Sequence, residues 1–231
     1  MNPILLLFSF ILLTTACNNP SSPRPQTVSS SPLLLLQKQQ IDSTNFELFL
    51  RAFKKEQIVE VWAKEKLGQQ FKKIQTYSFC TSSGLLGPKR QEGDRQIPEG
   101  CYWIDRFNPN SKFHLSLGLN YPNDSDRKLG HAQYPGGDIF IHGGCASIGC
   151  IPITNRKIEE LYALTSEAQR LGQTKIQVHI FPSNKMKSLI NNATQHMVFW
   201  QNLYPIFDYF ETKHTLPKVW IKPNGTYAIA N

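Results

Sequence analysis

Between Ile141 and Ile153 the chain reads IHGGCASIGCIPI, a short stretch that holds His142, Gly143, Gly144, Cys145, Ser147, Gly149 and Cys150. A cysteine sulfur is nucleophilic as the thiolate, and proteins populate that form with an imidazole in hydrogen-bond reach or with the positive end of a helix. Both are on offer here. His142 closes DIFIH, a short apolar segment with the make-up of a buried strand, and a helical pattern begins shortly after Cys150. A turn through the glycines can fold the imidazole back toward the sulfur. Gly149 lets the chain turn so that the backbone N–H groups around Cys150 point at a developing oxyanion, which is the kind of stabilisation acyl transfer depends on.

Other chemistries suit some of the same residues. His142, Cys145 and Cys150 could ligate a metal, with His131 or His179 completing a tetrahedral set. The glycines and Ser147 would then serve no purpose, and no paired CxxC knuckle exists. Cys145 and Cys150 could form a structural or reversible disulfide that caps the nucleophile under oxidation. A buried thiol beside a core histidine is the bland alternative. Cys80 and Cys101 fall in or beside expected strands, where they may pair or simply fill the core.

The elements that must position this loop are mostly strands. From Phe46 to Cys80 apolar and polar residues alternate in two-residue steps, with charged turns such as Lys54-Lys55-Glu56 between them, which predicts half-buried strands in a meander. Ser83 to Gly100 is rich in Gly and Pro and predicts a long ordered loop or a pair of turns. Strands return in CYWIDRF and KFHLSLGL. Ile158, Leu161, Tyr162, Thr165, Ala168 and Leu171 then follow a helical spacing, with Thr154 as N-cap and Gly172 as the stop. TKIQVHIF alternates as a last strand, and Met186 to Glu211 has helical stretches dense in aromatics and broken near Pro205. The fold class is mostly β with added helices (β+α), without a repeat or second domain.

Residues 1–16 carry an apolar run, Ile4 to Leu13, too short to span a bilayer but suited to the core of a signal peptide. The run ends in Thr14-Thr15-Ala16-Cys17, which resembles a bacterial lipoprotein signal and implies an exported chain whose Cys17 is lipidated. Residues 17–40 follow as a Pro/Ser-rich tether. The 231 residues carry 25 Lys plus Arg against 17 Asp plus Glu, a net charge of +8, which favours an anionic partner such as nucleic acid, acidic lipid or carboxylate-rich wall. Aromatic and basic residues are not interleaved as in a nucleic-acid platform, so Lys54-Lys55 and Lys72-Lys73 read as solvated faces and nucleic acid is not expected. With 40% hydrophobic and 18% charged residues, neither global disorder nor a coiled coil fits.

At His142-Gly143 and Ser147-Ile148-Gly149-Cys150 the sequence resembles the L,D-transpeptidase catalytic domain, the YkuD-type family. SGLLGPKRQEGDRQIPEGCYWI, NPNSKFHLSLGLNYPNDSD, the short HGGCASIGC spacing and the aromatic tail FWQNLYPIFDYF make it most similar to the YafK-like subgroup. The resemblance implies a β-sandwich or meander over residues 41–182, with residues 183–231 as an aromatic-rich extension packed on it. It also implies action on peptidoglycan stem peptides in a Gram-negative periplasm. Cys150 would be the nucleophile, His142 the base and then the acid, the Gly143 carbonyl the orienter of the imidazole, Gly149 and Cys150 N–H the oxyanion site, and Ser147 a shaper of the loop. No metal or organic cofactor is expected, and a protein acceptor is possible. Whether an amine or water resolves the acyl-enzyme decides between transferase and hydrolase, and a lipid-tethered wall-binding protein without catalysis is a third reading. Where many family members have an arginine two residues after the nucleophile, this chain has Pro152; Arg156, Lys89 and Arg90 are candidate replacements that read as exposed charges.

Overall fold

The computed structural model describes residues 32–193 and 195–230. The signal segment and Cys17 lie outside the described residues. The expected tether ends early: Leu34–Lys38 form a short helix, α1, and Leu36 is fully buried in the core. The leucine run Leu33 to Leu36 supplies the apolar surface that the Pro/Ser stretch before it lacks, so ordering it is offset by burial.

β1 (Phe46–Phe53), β2 (Ile58–Glu65) and β3 (Lys72–Ser78) form the expected antiparallel meander. The half-buried expectation fails for the first two. β1 and β2 are covered on both faces, because Leu48, Leu50, Ala52, Val59 and Val61 enter the main core while Phe49 and Trp62 meet Phe210 of the helix Met197–Lys213 on the other side. Aromatic rings at the nominally polar positions of the alternation carry that second interface.

The long strand β4 (Gly100–Ser111) pairs through Gly100 to Trp103 with β8 (Gln177–Phe181) and through its later residues with β5 (His114–Leu119). Register shifts between Ile104 and Arg106 and between Asn108 and Ser111 let it bend from one half of the sheet into the other. β6 (Phe140–His142) and β7 (Ile151–Pro152) complete a curled eight-stranded sheet of order β3-β2-β1-β8-β4-β5-β6-β7. The mostly β class holds, as one curled sheet in which β4 belongs to both halves.

Helix α2 (Asp124–Leu129) opens with a capping box from Asn123 and Asp126, and α3 (Asn155–Arg170) buries Ile158, Leu161, Leu164 and Ala168 against the sheet. Thr154 occupies the N-cap position without a side-chain cap bond, and Gly172, at φ +100, follows the helix end. After β8 come α4 (Met186–Asn191) and α5 (Met197–Lys213). β8 is therefore not the last strand: a separate hairpin of β9 (Lys218–Ile221) and β10 (Tyr227–Ala230) follows. The break at Pro205 does not occur either. Pro205 sits on the exposed side of α5, and burial of Leu203, Ile206, Phe207 and Phe210 offsets the lost helical hydrogen bond.

Two buried polar groups of the fold have energetic consequences. Arg51 donates to Glu60 at 2.7 Å and to Glu211 at 2.5 Å beneath the Phe210 ring, tying α5 to β1 and β2. Asp126 accepts from Tyr102 Oη at 3.0 Å and lies almost fully buried, and burial pushes its carboxyl up to about 7. The native state thus holds this proton more tightly than the unfolded chain does. Stability falls as pH rises from about 4 to about 7, with a slope of at most ~1.4 kcal/mol per pH unit from this group. Asp126→Asn is expected to remove that slope, measured as the parent-minus-variant difference in urea unfolding at pH 4.5 and 7.5.

Candidate active site

The β6 and β7 ladder sets the geometry of the loop. They run parallel with Ile141 beside Ile151 and His142 beside Pro152. Cys150 directly precedes β7, and the Phe140 backbone N–H, two residues before His142, meets its thiol. The sulfur of half-buried Cys150 reaches the carbonyl of Asp138 at 3.5 Å, so its contacts are with the segment leading into β6. The first turn of α3 meets the loop differently, through Asn155 Oδ1, which accepts from Gly144 N–H at 2.8 Å.

His142 is buried, and its Nδ1 lies 2.5 Å from the Gly143 carbonyl. A carbonyl only accepts, so Nδ1 carries the proton and Nε2 is left as the basic nitrogen. The Phe113 ring, from the turn between β4 and β5, lies 4.6 Å from the imidazole and closes its other side. Gly143 must be glycine: a Cβ there would stand 2.6 Å from the Phe113 carbonyl and 2.7 Å from Asn155 Oδ1. Phe113 and Asn155 carry no signal in the sequence, since their roles come from a turn and a helix start far apart in the chain.

The resting pair is neutral. Burial pushes the His142 imidazole below its usual range, with the Gly143 carbonyl acting the other way. Burial pushes the Cys150 thiol up, the Phe140 backbone N–H and Lys89 opposing and Asp138 adding to it. Among the described residues no hydrogen bond joins Nε2 to Sγ, which is common before substrate tightens a site.

The turn before Cys150 is knotted by Ser147, whose Oγ donates to the Cys150 carbonyl at 2.7 Å and accepts from Gly149 N–H at 3.3 Å. Of the two expected oxyanion donors, Gly149 N–H is thus loosely held, while that of Cys150 has no partner among the described residues. Gly149 adopts φ +132, open to glycine, and its α-carbon faces the Gln96 carbonyl of the long loop.

Cys145 does not pair with Cys150. It is bonded to Cys80, just after β3, and among the described residues Cys101 and Cys150 are the free cysteines. Of the two alternatives open for Cys101, pairing with Cys80 or filling the core, the structure has the second, because β4 carries it into the packing beside Tyr227. With Cys145 bonded and His142 on a carbonyl, the alternative metal set is dispersed, and among the described residues no three metal-binding side chains converge. Closing a loop of 65 residues constrains the unfolded chain by about 4 kcal/mol in the chain-entropy picture. The double variant Cys80→Ser/Cys145→Ser is expected to lose 2 to 4 kcal/mol, roughly, in urea unfolding.

The Gly- and Pro-rich loop is ordered by buried charge. Asp94 accepts from the backbone of Arg90, Gln91 and Gln96 and from Lys89 Nζ at 2.6 Å. Lys89 is buried, not the exposed charge the sequence suggests; Arg156 is exposed, and Arg90 packs its guanidinium over Phe199. Lys54 is also buried. Its Nζ donates to the Gly87 and Ile97 carbonyls at 2.7 and 2.8 Å and meets Glu99 at 3.2 Å, while Glu99 accepts from Gly87 N–H and Trp200 Nε1 at 2.7 Å each. These bonds hold the loop that lies against Gly149.

The fold is thus a curled β sheet in which one short strand ends in a histidine of fixed tautomer and a free cysteine directly precedes its parallel neighbour. Residues 49–180, more than half of the chain, match the model of the L,D-transpeptidase catalytic domain, YkuD, and the chain belongs to that family. It is 31% identical over 237 aligned positions to "Putative L,D-transpeptidase YafK" of Escherichia coli (strain K12), covering 100% of this chain and 91% of that protein. Among solved structures, the helical cell shape determining protein Pgp2 of Campylobacter jejuni aligns with TM-score 0.48 and 18% identity over 83% of this chain and 80% of that one. L,D-transpeptidase 1 of Mycobacterium tuberculosis aligns with TM-score 0.31 and 12% identity over 59% of this chain and 62% of that one.

Proposed function

We propose that this chain transfers acyl groups of peptidoglycan stem peptides through a thioester on Cys150. The observation that carries the reading is the His142 tautomer: with its Nδ1 proton committed to the Gly143 carbonyl, Nε2 is left as the base, and Cys150 Sγ lies against the segment that leads into the strand His142 closes. As Sγ attacks the carbonyl carbon of a stem-peptide amide, its proton passes to Nε2 and the carbonyl oxygen takes up negative charge. Cys150 N–H, and Gly149 N–H once Ser147 releases it, would donate to that oxygen. The C–N bond then breaks, the amine leaves with the proton from Nε2, and the acyl group stays on sulfur. An incoming amine or water gives its proton to Nε2, attacks the thioester and returns the thiol. Transfer and hydrolysis thus share every group named, and the acceptor decides between them.

Mass analysis of products from defined muropeptides tests the reading. Cross-linked or acceptor-linked products mark transfer, trimmed peptides mark hydrolysis, and either requires an acyl adduct on Cys150 in quenched samples. The same reading makes the chain an exported periplasmic lipoprotein held by Cys17. Radiolabelled palmitate is expected to enter the parent chain and not Cys17→Ala.

A further inference from the structure

A hollow of the described residues lies apart from Cys150. A groove of about 770 Å³ lies between β4, the start of α2 and the β9–β10 hairpin. Trp103 and Gln177, partners in the β4 and β8 register, stand side by side in its wall. Lys175 covers the Trp103 ring at 4.6 Å, and Trp220, also in the lining, is 45% exposed. Asn120 and the carboxylates of Asp105 and Asp124 add hydrogen-bonding groups around it. A half-exposed indole beside amides, the two carboxylates and the cations Arg127, Lys175 and Lys218 suits a pyranose: the ring takes the apolar C–H face and the polar groups take hydroxyl and acetamido groups. The volume fits a short oligosaccharide.

The groove is also connected to the nucleophile. Asp105 in its wall accepts from Arg106 at 3.1 Å, Arg106 donates to Asp138 at 3.0 Å, and the Asp138 carbonyl faces Cys150 Sγ. One residue of β4 therefore separates the groove from the nucleophile's own segment. We propose that this groove binds the N-acetylated amino-sugar strand of peptidoglycan, holding the glycan while its stem peptide reaches Cys150. The inference rests on the stem-peptide reading and adds a second site on the same polymer.

The test titrates the full chain with a peptide-free tetrasaccharide of alternating N-acetylglucosamine and N-acetylmuramic acid, read by tryptophan fluorescence and amide hydrogen exchange. Saturable quenching is expected, with exchange protection over Lys218 to Ile221. Trp220→Ala should weaken binding at least tenfold and Trp220→Phe much less, with the alkylation rate of Cys150 unchanged in both. The protection measurement needs only the parent chain, so it decides even if a variant folds poorly. Absence of saturation at millimolar sugar, protection confined to other segments, equal affinity in Trp220→Ala, or quenching by free stem tetrapeptide alone each overturns the groove assignment. A Cys150→Ala chain that still binds the tetrasaccharide leaves the groove standing whatever becomes of the chemistry. A parent chain that remodels stem peptides without binding the sugar removes the groove alone.

Discussion

Cys150→Ala is expected to leave a muropeptide digest unchanged after hours with the full chain, while His142→Gln slows product formation by about 10²- to 10⁴-fold. The first variant lacks the atom that forms the thioester. The second retains the thiol but lacks a base of suitable strength, because glutamine cannot take the Sγ proton. The pH dependence follows from the shifts at the site. Burial holds the imidazole below its usual range, so the basic form is already in place at neutral pH and activity declines only when acid protonates Nε2. Burial raises the thiol, so iodoacetamide alkylation of the free enzyme should keep climbing as pH increases through 9. Remodelling by Cys150→Ala at the parental rate would refute the nucleophile. An unaltered rate in His142→Gln would refute the base.

Glu99→Ala is expected to destabilise the fold by 3 to 5 kcal/mol, roughly, because it strips the countercharge from a buried ammonium. Lys54 Nζ would keep its two carbonyl partners and lose its only carboxylate in contact, and the Gly87 N–H and Trp200 Nε1–H would lose their acceptor. Burial already pulls the Lys54 ammonium below its usual range, with Glu99 opposing, so the variant moves it further down. For a domain of this size the melting temperature should fall by about 10 °C in calorimetry. Replacing both partners, as in Lys54→Met/Glu99→Leu, should recover most of the loss, since no lone charge remains buried. A fall of less than about 1 kcal/mol for Glu99→Ala would mean that water reaches Lys54.

The pattern of the chain exposes the meander, the helix after the loop and the pair His142 and Cys150, because each is written in neighbouring residues: alternation, helical spacing, and a strand that ends in histidine before glycines. What it conceals is non-local. Phe113 touches His142 through the bend of β4 into β5, and nothing about an isolated phenylalanine announces that contact. Lys54 reads as half of a basic pair on a turn, yet it is buried because Gly87, Ile97 and Glu99 arrive from a loop decades of residues away. Cys145 sits so near Cys150 in sequence that pairing them is natural, and only the return of β3 beside the loop brings Cys80 closer. The β9–β10 hairpin escaped because Lys218 to Ala230 is short and interrupted by Pro223 and Gly225, so its alternation never lengthens into a signal.

The bond between Cys80 and Cys145 also settles the fate of Cys150 under oxidising conditions. A thiol five positions away along a flexible glycine turn would be an ideal resolving partner, able to trap any sulfenic acid formed on the nucleophile as an internal crosslink. With that neighbour already bonded to Cys80, and Cys101 enclosed elsewhere, an oxidised Cys150 has no resolving thiol at hand among the described residues. The same bond keeps Cys145 from capping Cys150 as a disulfide.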